Sequence, residues 1–105
     1  MAQFSVHRNP AVASRAAVPY LLDVQSDLLS GLATRTVVPL YTAAAMKGRV
    51  TRTLTPQFEI EGRPVVMVTP QIAGVALKHL GPEAGSLESQ RGLIIAALDL
   101  LITGI

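Results

Sequence analysis

The chain contains no cysteine, which excludes disulfides and thiolate metal sites. It has no tryptophan, and its aromatic residues are only Phe4, Tyr20, Tyr41 and Phe58. A protein dedicated to nucleic acid shows a dense basic stripe with aromatics for base stacking. Here the net charge is only +2, and the arginines (Arg8, Arg15, Arg35, Arg49, Arg52, Arg63, Arg91) are scattered. Sequence-specific DNA binding by the chain alone is therefore not expected. Charged residues make up 15% against 50% hydrophobic, a low charge content that points to buried, shared surface. No apolar run reaches the roughly 20 residues of a membrane span, so no membrane partner is expected. Met1-Ala2-Gln3-Phe4-Ser5 lacks a basic start followed by an apolar run, so no signal peptide is read and the expected compartment is the cytoplasm.

What is present is one domain's worth of chain, residues 1–105. At this length about 60–70% of the unfolded surface can be buried without a staple. Leu93 to Ile105 carries a single charge, Asp99. At helical spacing Ile94, Leu98, Leu101 and Ile105 form one stripe, Leu93, Ala97 and Leu100 a second, and Ile95 and Ile102 flank Asp99. One stripe covers the chain's own core and the other needs a second surface. The expectation is a symmetric homodimer with Leu100, Leu101 and Ile105 at the interface; a helix buried in a monomer core is the competing reading.

The remaining pattern is short strands. Gln3–His7 and Tyr20–Val24 read as strands, with a loop over Arg8–Ala17 and an irregular turn over Ser26–Thr34. Thr36–Tyr41 is a strand in which Pro39 marks an edge, a bulge or an end. Thr42–Lys47 is a helical turn closed by Gly48, and Val50–Thr55 alternates β-branched and polar residues. Phe58 and Ile60 alternate with polar residues before a Glu61-Gly62 hairpin turn, and Val65–Thr69 returns as a buried strand. Pro70–Ala73 is a turn, Val75–Leu80 a last short strand or bend, and Ser86 caps a helix running to about Ile102. The predicted fold is mainly β, an SH3-like small antiparallel barrel or sheet with a long C-terminal helix.

Candidate chemistry is sparse. No His-x-x-x-His pattern or carboxylate cluster accompanies His7 or His79, so neither a metal nor a cofactor is expected. Gly31, Gly48 and Gly62 are isolated turn glycines rather than a phosphate loop. Asp23 and Asp27 fall on a strand and a loop, which supports an acid–base pair poorly. Arg35 beside Thr36 has the chemistry to stabilise a phosphate, although an exposed loop arginine is the expected state. No catalytic set follows from these residues.

One block is more specific: Asp23-Val24-Gln25-Ser26-Asp27-Leu28-Leu29, then Thr36-Val37-Val38-Pro39-Leu40. It resembles the CcdB family of plasmid-addiction toxins, which poison DNA gyrase. Gln3-Phe4-Ser5-Val6 resembles that family's first strand, Val50 to Pro56 resembles the strand after its Ala-rich stretch, and Gly104-Ile105 matches its ending. The resemblance spans nearly the whole chain. It implies a dimeric toxin of a type II toxin–antitoxin system, serving plasmid maintenance and acting on the topoisomerase without catalysis. It also implies a cognate antitoxin whose disordered tail folds on binding, placed here against Arg8 and Arg15. The implied gyrase A contacts are Leu28, Leu29, Asp99, Ile102, Thr103, Gly104 and Ile105. Three of these depart from the family: Thr103 stands where it has tryptophan, Ile102 where it has phenylalanine, and Asp99 where it has asparagine. Gyrase binding weaker than the family's is the consequence. The alternatives are a metal-free mRNA-cleaving toxin on the related barrel, using Arg35 and Thr36 or His79, and a non-toxic homologue that keeps the dimer and the antitoxin.

Overall fold

β3 (Thr34–Thr42) is the spine of the fold in the computed structural model, which describes residues 2–104. One edge of β3 carries β2 (Tyr20–Asp23) in antiparallel register, from Tyr20↔Leu40 to Asp23↔Val37. The other edge changes neighbour half-way. β6 (Ala73–Ala76) pairs with Thr34–Val37, and β5 (Arg63–Met67) pairs with Leu40–Thr42. Pro39 stands where β6 and β5 part. Its carbonyl accepts from Val68 N at 3.1 Å. N–H and C=O of one strand residue point the same way, so the donor that proline lacks falls in the gap. Pro39 is thus neither at an edge nor at a strand end; the sheet divides around it.

The sheet runs β4 (Gln57–Ile60), β5, β3, β2, β1 (Ser5–Arg8), β7 (Glu83–Ser86), all antiparallel, with β6 branching from β3. It curls into a half-barrel around Val6, Tyr20, Leu22, Val38, Leu40, Val65 and Met67. Closing this core is α2 (Arg91–Thr103), through buried Ile94 and Ala97 and partly buried Ile95 and Leu98. A short helix, α1 (Ala43–Met46), follows β3, capped by the Thr42 hydroxyl, which accepts from Ala45 N. Among the described residues no helix is long and apolar enough to cross a membrane.

Several local expectations are corrected. The first strand begins at Ser5, because Phe4 adopts φ 71° to bury its ring while its N–H reaches Asp23 O. Val50–Thr55 is a turn, since Thr51 N donates to the Thr55 hydroxyl at 2.6 Å and Thr55 N to Thr51 O. Threonines that bond their own backbone compete with a sheet ladder. Strand β6 begins at Ala73, and Leu77–His79 is a 3₁₀ turn. Ser86 ends β7 rather than capping the helix; its hydroxyl accepts from Glu88 N, and a 3₁₀ turn over Glu88–Gln90 leads into α2. Strand β7 carries no strand signal in its sequence, because Glu83-Ala84-Gly85-Ser86 has no β-branched residue. Gly81 makes its position possible. A side chain there would meet Arg8 O at 2.6 Å, and the Gly81 N–H donates to that same oxygen.

The β4–β5 hairpin turns on Glu61 and Gly62 at φ 53° and 76°. Such two-residue turns favour Asn, Asp or Gly at both positions. Glu61 is held in this conformation by tertiary bonds: Arg8 Nη2 donates to one carboxylate oxygen and the buried Tyr20 hydroxyl to the other, at 2.6 Å. The clamp straps the hairpin to β1 and β2. Arg8 foremost, then Tyr20, hold the Glu61 carboxyl below the usual glutamate range. Its contribution is complete above about pH 4.3 and lost as pH falls through the lowered value. Side-chain exposures of 47% and 38% for Arg8 and Glu61 make it small. Glu61→Gln is expected to flatten the acid limb of stability against pH. Urea unfolding from pH 7 to 3 reads this out, and a wild-type slope in the variant contradicts the clamp.

Candidate functional site

At the end of β2, the Asp23 carboxylate meets Arg35 of β3. Arg35 Nε donates to Asp23 Oδ2 at 2.8 Å and Nη2 lies 2.7 Å from the same oxygen. Arg35 is only 1% exposed and Asp23 is fully buried. The expectation of an exposed loop arginine is therefore wrong: the strand starts two residues before Thr36, which places Arg35 inside the sheet. Locked in this pair, Arg35 offers no guanidinium to a phosphate. Asp23 and Asp27 form no acid–base pair either, since Asp27 Oδ1 accepts from Gln3 N.

A polar network grows from this pair. Asp23 Oδ1 accepts from Gln25 N at 3.0 Å, and Arg35 Nη2 donates to Gln25 O at 3.4 Å. The buried Gln25 amide accepts from Thr36 N and donates to Leu29 O, both at 2.9 Å. Ser26 then caps a 3₁₀ turn, Asp27–Leu29, its hydroxyl accepting from Leu28 N. No residue of that turn is buried. Leu28 is 95% exposed, with Leu29 and Leu32 half-exposed beside it.

The second candidate surface is the end of α2. Ile102 is 76% exposed and Leu93 half-exposed; Leu100 and Leu101 are partly buried, and Asp99, Thr103 and Gly104 are exposed. Ile105 lies outside the described residues. Gly104, at φ 74°, ends the helix with a bond from its N–H to Leu100 O. The Thr103 hydroxyl donates to Asp99 O at 2.6 Å, so this side chain is folded back on the helix. Among the described residues, no hydrogen bond joins this tip to the Leu28–Leu29 turn within one chain.

Arg8 and Arg15 line one cleft of about 340 Å³ with Tyr20, Pro82 and Arg63. Arg63 lies 5.8 Å from the Tyr20 ring centroid. It is a third cation that sequence reading missed, although the Glu61-Gly62 turn signal sets its place at the start of β5. The histidines lie apart in role. His7 is buried with Nδ1 3.1 Å from Gly81 O, which puts the proton on Nδ1, while His79 sits exposed on a 3₁₀ turn. Among the described residues no group of three or more His, Asp or Glu is placed to hold a metal.

A curled antiparallel sheet with a helix ending in an apolar tip is now in view, beside a polar hub built from the Asp-Val-Gln-Ser-Asp run. The family model described as CcdB protein matches residues 3–104. The chain belongs to the CcdB family. Membership makes it the toxin of a toxin–antitoxin pair, and antitoxin and gyrase are the family's partners in general. In this CcdB chain the run has an architectural role: its first aspartate anchors β2 to β3, its glutamine ties the turn down, and its serine caps it.

Removing one member of a buried ion pair strands the other charge and costs about 3–5 kcal/mol. Asp23→Ala is expected to lose stability in that range. Replacing both members, as Asp23→Leu with Arg35→Met, is expected to cost less than Asp23→Ala alone. Guanidinium unfolding of the two proteins measures this; a double variant less stable than the single would contradict it.

Proposed function

We propose that this chain is a homodimeric, cytoplasmic toxin that inhibits DNA gyrase by binding its A subunit, without catalysis of its own. The observation that carries the reading is the display of Leu28 and Ile102 to solvent, two residues that the sequence resemblance implies as gyrase contacts. Neighbouring exposed apolar side chains, as at Leu28, Leu29 and Leu32, are the kind of surface that interaction sites use. Leu28, Leu29, Asp99, Ile102, Thr103, Gly104 and Ile105 form the proposed gyrase surface. Leu100, Leu101 and Ile105 are the proposed dimer contacts, supported by a helix on which Leu100 and Leu101 are only partly buried and Leu93 is half-exposed in one chain. The antitoxin tail is assigned to the Arg8–Arg15 cleft, where Arg63 adds charge of the sign an acidic segment needs. A trapped gyrase–DNA cleavage complex, formed on adding the purified protein, tests the reading directly; undisturbed supercoiling at excess protein defeats it.

The non-toxic homologue has one specific observation in its favour, the folded-back Thr103. A threonine supplies no flat face for a partner cation, and a cation–π contact is worth about 0.5–2 kcal/mol. The RNA-cleaving alternative loses Arg35 to the buried pair with Asp23.

Thr103→Trp is expected to raise gyrase A affinity by about 1–2 kcal/mol, and Asp99→Asn to add a smaller gain by removing a negative charge. Titration of labelled gyrase A with wild type and both variants reads this; a tryptophan variant that binds no tighter shows the aromatic to be dispensable on this scaffold. For assembly, Leu101→Asp is expected to dissociate the dimer, because a buried unpaired charge is costly. Sedimentation at micromolar concentration checks it, and a wild type that is already monomeric refutes the dimer.

A further inference from the structure

The Asp27–Leu29 turn poses a physical problem. It holds a leucine at 95% exposure, yet buries none of its own residues, so hydrophobic packing does not fix its conformation. Such a segment ordinarily frays. Beyond the turn's own backbone bonds, Leu29 N to Ser26 O and Ser30 N to Asp27 O, three ties involving side chains hold it: Gln3 N to Asp27 Oδ1 at 2.8 Å, Leu28 N to the Ser26 hydroxyl at 3.2 Å, and Gln25 Nε2 to Leu29 O at 2.9 Å. The first two come from exposed groups, where water competes for the same donors and acceptors. Only the Gln25 bond starts from a buried side chain.

Gln25 is itself fixed on every polar atom. Its N–H is held by Asp23, its carbonyl by Arg35, its Oε1 by Thr36 N, and its Nε2 by Leu29 O. The side-chain amide thus bridges the rigid β2–β3 junction and the far end of a turn whose other ties come from exposed groups or its own backbone. A shorter amide would fall short of Leu29 O, and a carboxylate would have no donor for it.

We propose that Gln25 is the positioning residue of the Leu28–Leu29 ledge: it transmits the rigidity of the Asp23–Arg35 pair to the exposed turn and thereby pre-organises Leu28 for docking. The docking half rests on the gyrase reading of the ledge, whereas the positioning half stands on the geometry alone. Pre-organisation aids binding by removing the ordering cost from the encounter. Gln25 touches no partner in this scheme and acts through Leu28.

Two measurements on the full chain test it. Amide hydrogen exchange at Leu29, Ser30 and Leu32, whose N–H groups close the turn, is compared with exchange at Leu22 and Val38 in the sheet. Gln25→Ala and Gln25→Glu are expected to speed the turn amides about five- to tenfold, the factor one lost hydrogen bond corresponds to, with the sheet amides unchanged. Gln25→Glu preserves side-chain volume and the acceptor for Thr36 N, so the Thr36 amide stays protected while the turn loosens. Gyrase A affinity is then measured for Gln25→Ala, Leu28→Ala and the double variant. The loss from Gln25→Ala is expected to vanish in the Leu28→Ala background, which a general structural defect would not produce. Unchanged turn exchange overturns the proposal, and so does an equal loss with and without Leu28. If the turn loosens while neither single variant alters gyrase binding, the positioning stands and the gyrase reading of the ledge falls.

Discussion

The buried pair between Asp23 and Arg35 is the constraint on which this end of the molecule depends. Taking two charges out of water costs several kcal/mol per ion even after relaxation, on the order of what their attraction returns. Net stability is therefore a poor account of its presence. What the pair secures is register. β3 alternates faces, so a one-residue slip against β2 would move Arg35 out of the interior and leave Asp23 alone inside it. The same β3 segment pairs with β6, with Arg35 opposite Val75. The ion pair thus fixes β2 against β3, the strand on which β6 also pairs, and Gln25 carries that order outward.

Two kinds of ordering coexist around this constraint. The half-barrel and the inner face of α2 are held by burial, each large apolar side chain stabilising by about 1.5–3 kcal/mol. The Leu28–Leu29 turn is held mainly by hydrogen bonds, because Leu28 is almost fully exposed and Leu29 half-exposed. Burial cannot both order a side chain and leave it free for a partner. A surface that must be rigid and apolar therefore draws its rigidity from a polar network beneath it. The hairpin clamp follows the same logic: Glu61 tolerates an unfavourable turn conformation because Arg8 and Tyr20 hold its carboxylate.

Sequence reading succeeded where one physical signal dominates. Period-two alternation located β4, the Glu61-Gly62 pair located its hairpin, and the density of aliphatics located α2. It failed where tertiary bonds compete with local pattern. Val50–Thr55 looks like a strand by composition, yet its threonines close a turn on themselves. Strand β7 has no composition signal at all; it exists because Gly81 lets the chain approach Arg8 closely enough to pair. Arg35 was misplaced because an arginine after Ala33-Thr34 reads as polar surface, and only the distant carboxylate of Asp23 makes its burial tolerable. Exposure of Leu28 was not derivable from the leucine itself. It follows from the network that Gln25 anchors, a set of contacts spread over Gln3, Asp23 and Thr36.

The loss of an aromatic at position 103 and the retention of the ledge can be weighed against each other. A cation–π contact contributes about 0.5–2 kcal/mol, and burying a fully exposed leucine about 1.5–3 kcal/mol. The proposed dimer presents both the ledge and position 103 twice, so the comparison stands per protomer, where the leucine has the larger potential contribution. That balance holds only if the turn arrives already ordered, since fixing a single residue's backbone costs about 1–2 kcal/mol and the turn has three residues. A loose ledge would spend on ordering what its leucines contribute on burial. On the proposed gyrase surface, binding is therefore expected to depend less on the helix tip, where Thr103 is folded back on Asp99, than on the stiffness of the turn that Gln25 holds.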